Sequence, residues 1–254
     1  MPDALRELIA LVKKLRNECP WDRVQTLDSL KGSLIEEAYE VKDVLEKGEF
    51  DRLAEELGDL LILILMNAEI AGQTGLFDLE TIAKKASAKL HRRHPHVFGR
   101  KELTSAEEVS ASWQQSKLQE SGSILNNVPR DLPSLMLAHT VQKRAEKVGF
   151  DWDNIEDVFR KVEEELQELR AAKGSKSLEA RREELGDLLF TIVNLARRLG
   201  IDPEQALRNT VEKFRRRFRT IERELAKKGR TPSEVPLSEL DRLWNEAKEK
   251  ENRE

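Results

Sequence analysis

Acidic side chains recur in pairs three residues apart. Glu37 and Glu40 make one pair and Glu56 and Asp59 the next; Glu165 with Glu168 and Glu184 with Asp187 repeat the arrangement. On a helix this spacing puts both carboxylates on one face. Two helices joined by a short loop would bring two such pairs face to face. Four carboxylates gathered beside a core need protons, basic partners or a metal, because burying an ionised carboxylate alone is costly. Basic partners could come from Lys89, Arg92 and Arg93, or from Lys213, Arg216 and Arg217. Purely structural ion pairs are the competing reading. If a metal is held, an all-oxygen donor set suits Mg²⁺, with Mn²⁺ as a substitute. Zinc would want Cys or His ligands, and Cys19 stands alone. A di-iron bundle would want Glu-x-x-His, and His91, His94, His96 and His139 do not fall at that spacing. Ca²⁺ has no EF-hand loop to receive it.

The helical wheel tests whether these acids face water. With Leu34 at zero and about 100° per residue, Glu37 falls near 300°, inside the arc of Leu34, Ala38, Val41, Val44 and Leu45. Glu40 sits at that arc's edge. Glu56 falls between Leu60 and Leu63, with Asp59 at the edge, and Glu165 falls between Leu169 and Ala172. The carboxylates are thus expected in or beside the core. Basic groups recur beyond each cluster, in KLHRR at 89–93 and KFRRR at 213–217. Carboxylates plus cations suit an anionic substrate that arrives with divalent ions: metals bridge phosphate oxygens, and basic side chains take the remaining phosphate charge. A solvated charged helix is the plainer reading of the second basic run.

These residues must be positioned by helices. Apolar spacing predicts helices over 3–16, 26–46, 50–72, 79–94, 104–119, 131–147, 154–172, 176–200, 203–228 and 236–250, with prolines as punctuation between them. Strict alternation of strand type is not found. The chain is read as all-α, with a domain over 1–99, a polar linker carrying a short helix over 100–130, and a second domain over 131–254. An internal repeat supports this. EELGDLL stands at 55–61 and again at 183–189, and Glu37, Glu40, Glu56, Asp59 and Gly72 recur as Glu165, Glu168, Glu184, Asp187 and Gly200, each 128 residues on. Gly58 and Gly186 lie inside these helices, which suggests close backbone packing. Trp21, Trp152 and Trp244 are expected in core or interface more than as stacking platforms.

Composition narrows the class. Charged residues are 36 % of the 254 and aromatics 5 %, which suits a helical, highly charged protein and excludes disulfide-scaffold and collagen-like classes. A net charge of −4 gives no general attraction to nucleic acid or an anionic membrane. The most apolar run, Leu60–Met66, is far short of the ~20 residues that span a bilayer. It is apolar on all sides, which asks for burial on several. One cysteine and an N-terminus without a signal-type apolar core point to a soluble, cytoplasmic protein. P-loop, dinucleotide-loop and nucleophile-elbow motifs are absent from the sequence.

CPWDRVQTLDSL at 19–30, the doubled EELGDLL, KLHRRHPHVFG at 89–99, NLARRLGIDPEQAL at 194–207 and EKFRRRF at 212–218 together resemble the MazG nucleoside triphosphate pyrophosphohydrolase family. The likeness runs over essentially the whole chain and matches full-length tandem bacterial members. It implies two tandem helical domains whose hairpins form bundles with a second subunit, giving a homodimer. It implies Mg²⁺-dependent cleavage of a nucleoside triphosphate between the α and β phosphates, in a house-cleaning or pool-control role. It implies metal ligation by Glu165, Glu168, Glu184 and Asp187 in the second half and by Glu37, Glu40, Glu56 and Asp59 in the first. It further implies that the second half is the main catalytic one, with Lys213, Arg217, Trp244 and Lys248 touching nucleotide or phosphates. Glu164 or Glu183 is then expected to orient the attacking water, and Lys213 and Arg217 to stabilise developing charge. Two other readings compete: a helical interaction or regulatory protein without turnover, and a dUTP- or pppGpp-type phosphohydrolase on the same fold.

Overall fold

The structure is a computed structural model that describes residues 3–99, 102–126, 128–174 and 177–251, with backbone alone over 114–121. Residues 100, 101 and 127 of the expected linker, and residue 176 at the start of an expected helix, lie outside the described residues. Among the described residues there are helices and no strand, so the protein is all-α as its periodicity demands. The chain divides into two compact units, Met1–Val109 and Ser110–Glu254.

In the first unit the helices are α1 (Asp3–Glu18), α2 (Pro20–Val24), α3 (Lys31–Lys47), α4 (Phe50–Gln73), α5 (Leu79–Arg93) and α6 (Pro95–Phe98). Only Gly48 and Glu49 separate α3 from α4, so the two pack as an antiparallel hairpin. Gly48 makes the turn at φ 69°, a left-handed conformation that glycine adopts without steric cost. Glu49 N–H then closes the helix end on the Val44 carbonyl at 3.1 Å. Helix α1 covers the other side of α4, around a core of Val12, Leu30, Leu65, Met66 and Ile70. The all-round apolar run at Leu60–Met66 is therefore partly explained within the unit. Helix α5 starts on Asp78, whose carboxylate accepts from Thr81 N–H at 2.8 Å.

Helix α7 (Ala106–Ser121) crosses the division between the units. The second unit continues with α8 (Ser134–Glu146), α9 (Ile155–Ala172), α10 (Leu178–Arg198), α11 (Pro203–Ala226) and α12 (Leu237–Glu251), with a 3₁₀ turn at Pro232–Glu234. Helices α9 and α10 form the second hairpin. Each starts on a side-chain cap: Asn154 accepts from Asp157 N–H at 3.0 Å and Ser177 from Ala180 N–H at 3.2 Å. Val158 on α9 and Val193 on α10 are fully buried. Helix α8 lies on α10, where Gln142 Nε2 donates to the Phe190 carbonyl at 2.8 Å. Helix α12 folds back on α11 over Ile221, Leu225 and Leu243, with Trp244 packed at the edge of that cluster.

Several expectations need correction. Helix α3 starts at Lys31, not near 26, and α8 at Ser134, not near 131. Helices α2 and α6, each opening on a proline, escaped the periodicity because they are too short to show one. Trp21 and Trp152 are 65 % and 37 % exposed, so neither is a core residue of its own unit. A Cβ at Gly58 or Gly186 would meet open space, so contacts inside the chain do not require those glycines.

Candidate metal and nucleotide site

Each hairpin gathers its acids as the wheel predicts. In the second unit, Glu165 on α9 and Glu184 and Asp187 on α10 have ligand oxygens that lie within 4.8 Å of one another. In the first unit, Glu37 on α3 and Glu56 and Asp59 on α4 do the same. The geometry is forced by the short hairpin loops and by the i, i+3 spacing. Glu56 and Glu165 are buried, Glu37 and Glu184 half-buried, and Asp59 and Asp187 exposed. Glu40 and Glu168 stand one turn further along, exposed and outside these triads.

Both clusters are electrostatically crowded. Burial raises the Glu37 carboxyl above the ordinary glutamate value, and Glu40, Asp59 and Glu56 raise it further. Desolvation by its neighbours likewise raises the Glu168 carboxyl, with the charges of Glu165 and Glu184 adding to the effect. So Glu168 and Glu40, though outside the triads, are electrically part of the clusters.

Two cations that were not expected sit against these acids. Lys161 Nζ lies 2.8 Å from both Glu164 and Glu165, and Arg52 Nη2 lies 2.7 Å from Glu56. The hydrogen bonds it donates to Glu164 and then Glu165 hold the Lys161 ammonium well above its ordinary range. Lys161–Glu165 and Arg52–Glu56 follow i, i+4 spacing and Lys161–Glu164 i, i+3, each on one helix, a signal present in the sequence that the search for basic runs overlooked. One lysine or arginine replaces only part of the charge a divalent cation would supply. A dense all-carboxylate set with so little compensation fits a hard divalent ion.

Of the two candidates for orienting water, Glu164 is committed to Lys161. Glu183 is exposed and has no recorded ion pair among the described residues.

The expected substrate-binding residues fall on α11 and α12. Trp244 is half-buried, its ring 5.1 Å from Phe214, and Phe214 stacks on Phe218 at 5.8 Å. The Arg217 guanidinium lies over Trp244, 5.5 Å from the ring centroid. Arg217 Nε also donates to Glu251 Oε2 at 2.7 Å. Lys213 and Lys248 are exposed, Lys248 one turn beyond Trp244. Arg217 and Trp244 thus meet, while among the described residues no hydrogen bond or ion pair joins this group to the acids of α9 and α10. Phe214 and Glu251 were not singled out in the sequence. Glu251 stands seven residues beyond Trp244, hence on the same face, which is the pattern that could have found it.

Among the described residues no helix is long and apolar enough to cross a membrane. Comparison with known proteins matches residues 25–98 and 153–221 to the MazG nucleotide pyrophosphohydrolase domain. These two segments contain both carboxylate clusters. A nucleoside triphosphate pyrophosphohydrolase/pyrophosphatase of Thermotoga maritima is 43 % identical over 248 residues, covering 95 % of this chain and 94 % of the relative. A nucleoside triphosphate pyrophosphohydrolase of Escherichia coli K12 is 42 % identical over 257 residues, covering 96 % and 97 %. An uncharacterized Bacillus subtilis protein is 41 % identical over 251 residues, which make up 51 % of its length.

Proposed function

The chain belongs to the MazG nucleotide pyrophosphohydrolase family, and from that premise we propose that it hydrolyses nucleoside and deoxynucleoside triphosphates between the α and β phosphates. The products are the monophosphate and pyrophosphate, Mg²⁺ is the cofactor, and control of the nucleotide pool in the cytoplasm is the setting. The observation that carries this reading is the pair of convergent carboxylate triads, each inside a matched segment.

Glu165, Glu184 and Asp187, with Glu168 beside them, would hold the divalent cation; the first-half counterparts are Glu37, Glu56, Asp59 and Glu40. When bound, the cation offsets charge on carboxylates and phosphates and so favours departure of pyrophosphate. Arg217 and Lys213 take phosphate charge as it builds on the leaving group. Trp244 presents an aromatic face beside them, and Lys248 adds a further cation. Glu183, without an ion-pair partner among the described residues, is better placed than Glu164 to accept a proton from the attacking water. Among the described residues only the second unit has the α11–α12 arrangement, which supports it as the main catalytic half.

The active form is proposed to be a homodimer. On α10, Leu185, Leu189 and Ile192 stay between 43 % and 47 % exposed on one face, an apolar stripe left uncovered by the chain. A second copy packing hairpin to hairpin would bury it.

The test is incubation of the purified protein with a panel of NTPs and dNTPs, with and without Mg²⁺, and separation of products by ion exchange. Monophosphate plus pyrophosphate, only with metal, is the expected result. Orthophosphate release would move the assignment to another phosphohydrolase class. No turnover of any nucleotide would favour an interaction protein.

A further inference from the structure

Lys213 and Lys248 are exposed and have no recorded partner among the described residues. Arg217 is different. Its side chain is only 11 % exposed, and it is gripped from two directions. The Trp244 indole lies against the guanidinium at 5.5 Å, and Glu251 Oε2 accepts from Nε at 2.7 Å. A guanidinium carries five N–H donors in a rigid planar fork. Glu251 uses the Nε edge, and among the described residues the two terminal nitrogens have no other hydrogen-bond or ion-pair partner. Their four N–H groups can therefore bind a planar or tetrahedral oxyanion in bidentate fashion.

Glu251 is equipped for this task. It sits in the last turn of α12, and the other carboxylate oxygen lies 3.4 Å from Arg216 Nε. Hydrogen bonding to Arg217, with the charges of Arg217 and Arg216, holds the Glu251 carboxyl below its ordinary value, so it is ionised at neutral pH. An ionised carboxylate keeps the neighbouring cations together when no phosphate is present. It also removes rotamer freedom that a lone arginine would lose only on binding.

We propose that Glu251 is a positioning residue for phosphate recognition: it fixes the Arg217 guanidinium against Trp244 and leaves its terminal nitrogens presented to the substrate's phosphate chain. The proposal rests on the functional reading above. It goes beyond that reading in assigning the preorganisation of the site to a carboxylate on the closing turn of α12. It has the opposite sign from the alternative in which Glu251 competes with phosphate and must be displaced.

The experiment compares full-length wild type with Glu251→Ala and Glu251→Gln. A Glu246→Gln variant is the control, because Glu246 pairs with Arg242 on the same helix and lies outside the site. KM and kcat are measured for pyrophosphate release from one triphosphate substrate with Mg²⁺. Separately, binding of inorganic tripolyphosphate is measured by calorimetry, which needs no turnover. The expected result is a rise in KM of about tenfold for Glu251→Ala, the size of one lost charge-assisted contact. The rise should be smaller for Glu251→Gln, which keeps an acceptor, with kcat within twofold and tripolyphosphate affinity falling in parallel. A purely structural role would lower the melting temperature and the active fraction, and hence kcat, without moving KM. Unchanged KM, or KM and tripolyphosphate Kd both lowered, overturns the proposal. If the wild type hydrolyses no nucleotide, the functional reading fails, and the tripolyphosphate series still decides the role of Glu251.

Discussion

Lys161 offers one ammonium to two carboxylates, Glu164 and Glu165, each at 2.8 Å. Glu165 is buried and Lys161 about one-third exposed, so the pair lies between the weak surface case and the costly buried one. Its work in the metal-free protein is to supply a charge-assisted hydrogen bond to a buried carboxylate beside Glu184 and Asp187. Lys161→Met should therefore destabilise the metal-free protein by about 1–2 kcal/mol, the cost of leaving a partly buried charge without its hydrogen bond. Mg²⁺ should close most of that gap, because the cation supplies the charge the lysine did. Thermal melts in EDTA and in Mg²⁺ decide the point, and a deficit that metal leaves untouched would make Lys161 a structural residue only. At the same scale, Glu168→Ala combined with Asp187→Ala should cut pyrophosphate release by at least about a hundredfold, since electrostatic partners of a phosphoryl-type transition state are each worth several kcal/mol. The first-half pair, Glu40→Ala with Asp59→Ala, should retain most of the activity; equal losses in steady-state assays would make both halves catalytic.

Among the elements, α10 is tied at its C-terminal end to the loop that precedes α9, in addition to its packing. Asp151 receives Arg197 Nη2 and, at 3.0 Å, Arg198 Nη1, and Arg197 also reaches Glu146 on α8 at 2.8 Å. One carboxylate thus ties the 148–154 loop to the C-terminal turn of α10, and through Arg197 to α8. Burial pushes the Asp151 carboxyl up, but Arg197 and Arg198 outweigh it and hold it below its ordinary value. A carboxyl lowered on folding stabilises above its unfolded pKa, and that contribution disappears as pH falls through the folded value. Asp151→Asn should cost about 2 kcal/mol near neutrality, as expected for hydrogen bonds to charged groups. The difference from wild type should shrink below about pH 4, where the unfolded aspartate protonates. Denaturant melts at pH 7 and pH 3.5 provide the comparison, and an undiminished gap at low pH would refute the ionic account. Elements also show what the sequence could convey. The acid-bearing hairpins were legible because their spacing, their repeat and their apolar stripes all agree. The start of α3 was not, because Thr26 and Ser29 bind one another's backbone: Thr26 N–H donates to Ser29 Oγ at 2.9 Å and Ser29 N–H to Thr26 Oγ1 at 3.0 Å. That local turn withholds residues 26–29 from the helix despite favourable periodicity. The site was legible in its acids and in Arg217 and Trp244. Lys161 and Glu251 were missed although their spacing is in the sequence, because spacing alone does not say which neighbour each long side chain selects.

Across the whole molecule, the second-half acids and the α11–α12 cations lie in the same unit, yet among the described residues no hydrogen bond or ion pair joins them. Each hairpin leaves apolar side chains uncovered: Leu57 and Ile64 on α4 are 48 % and 41 % exposed, and Leu185 and Leu189 on α10 are both 47 %. Such stripes on helices that already bury their opposite face against a neighbour are what a four-helix bundle needs from each half. Association should bury them at about 25 cal/mol for each Å² of apolar surface removed from water, which is enough over a hairpin-length contact to hold a dimer at micromolar concentration. Sedimentation equilibrium should therefore give twice the 29.2 kDa chain mass. Leu185→Asp with Leu189→Asp should give the chain mass itself, since each buried carboxylate would lack a partner in the interface. Both side chains are half-exposed in the single chain, so helicity by circular dichroism should be nearly unchanged. Loss of activity in that folded monomer would mean that the site is completed across the interface. Full activity would confine catalysis to one chain, and a wild type that sediments as a monomer would remove the apolar stripes as evidence for assembly.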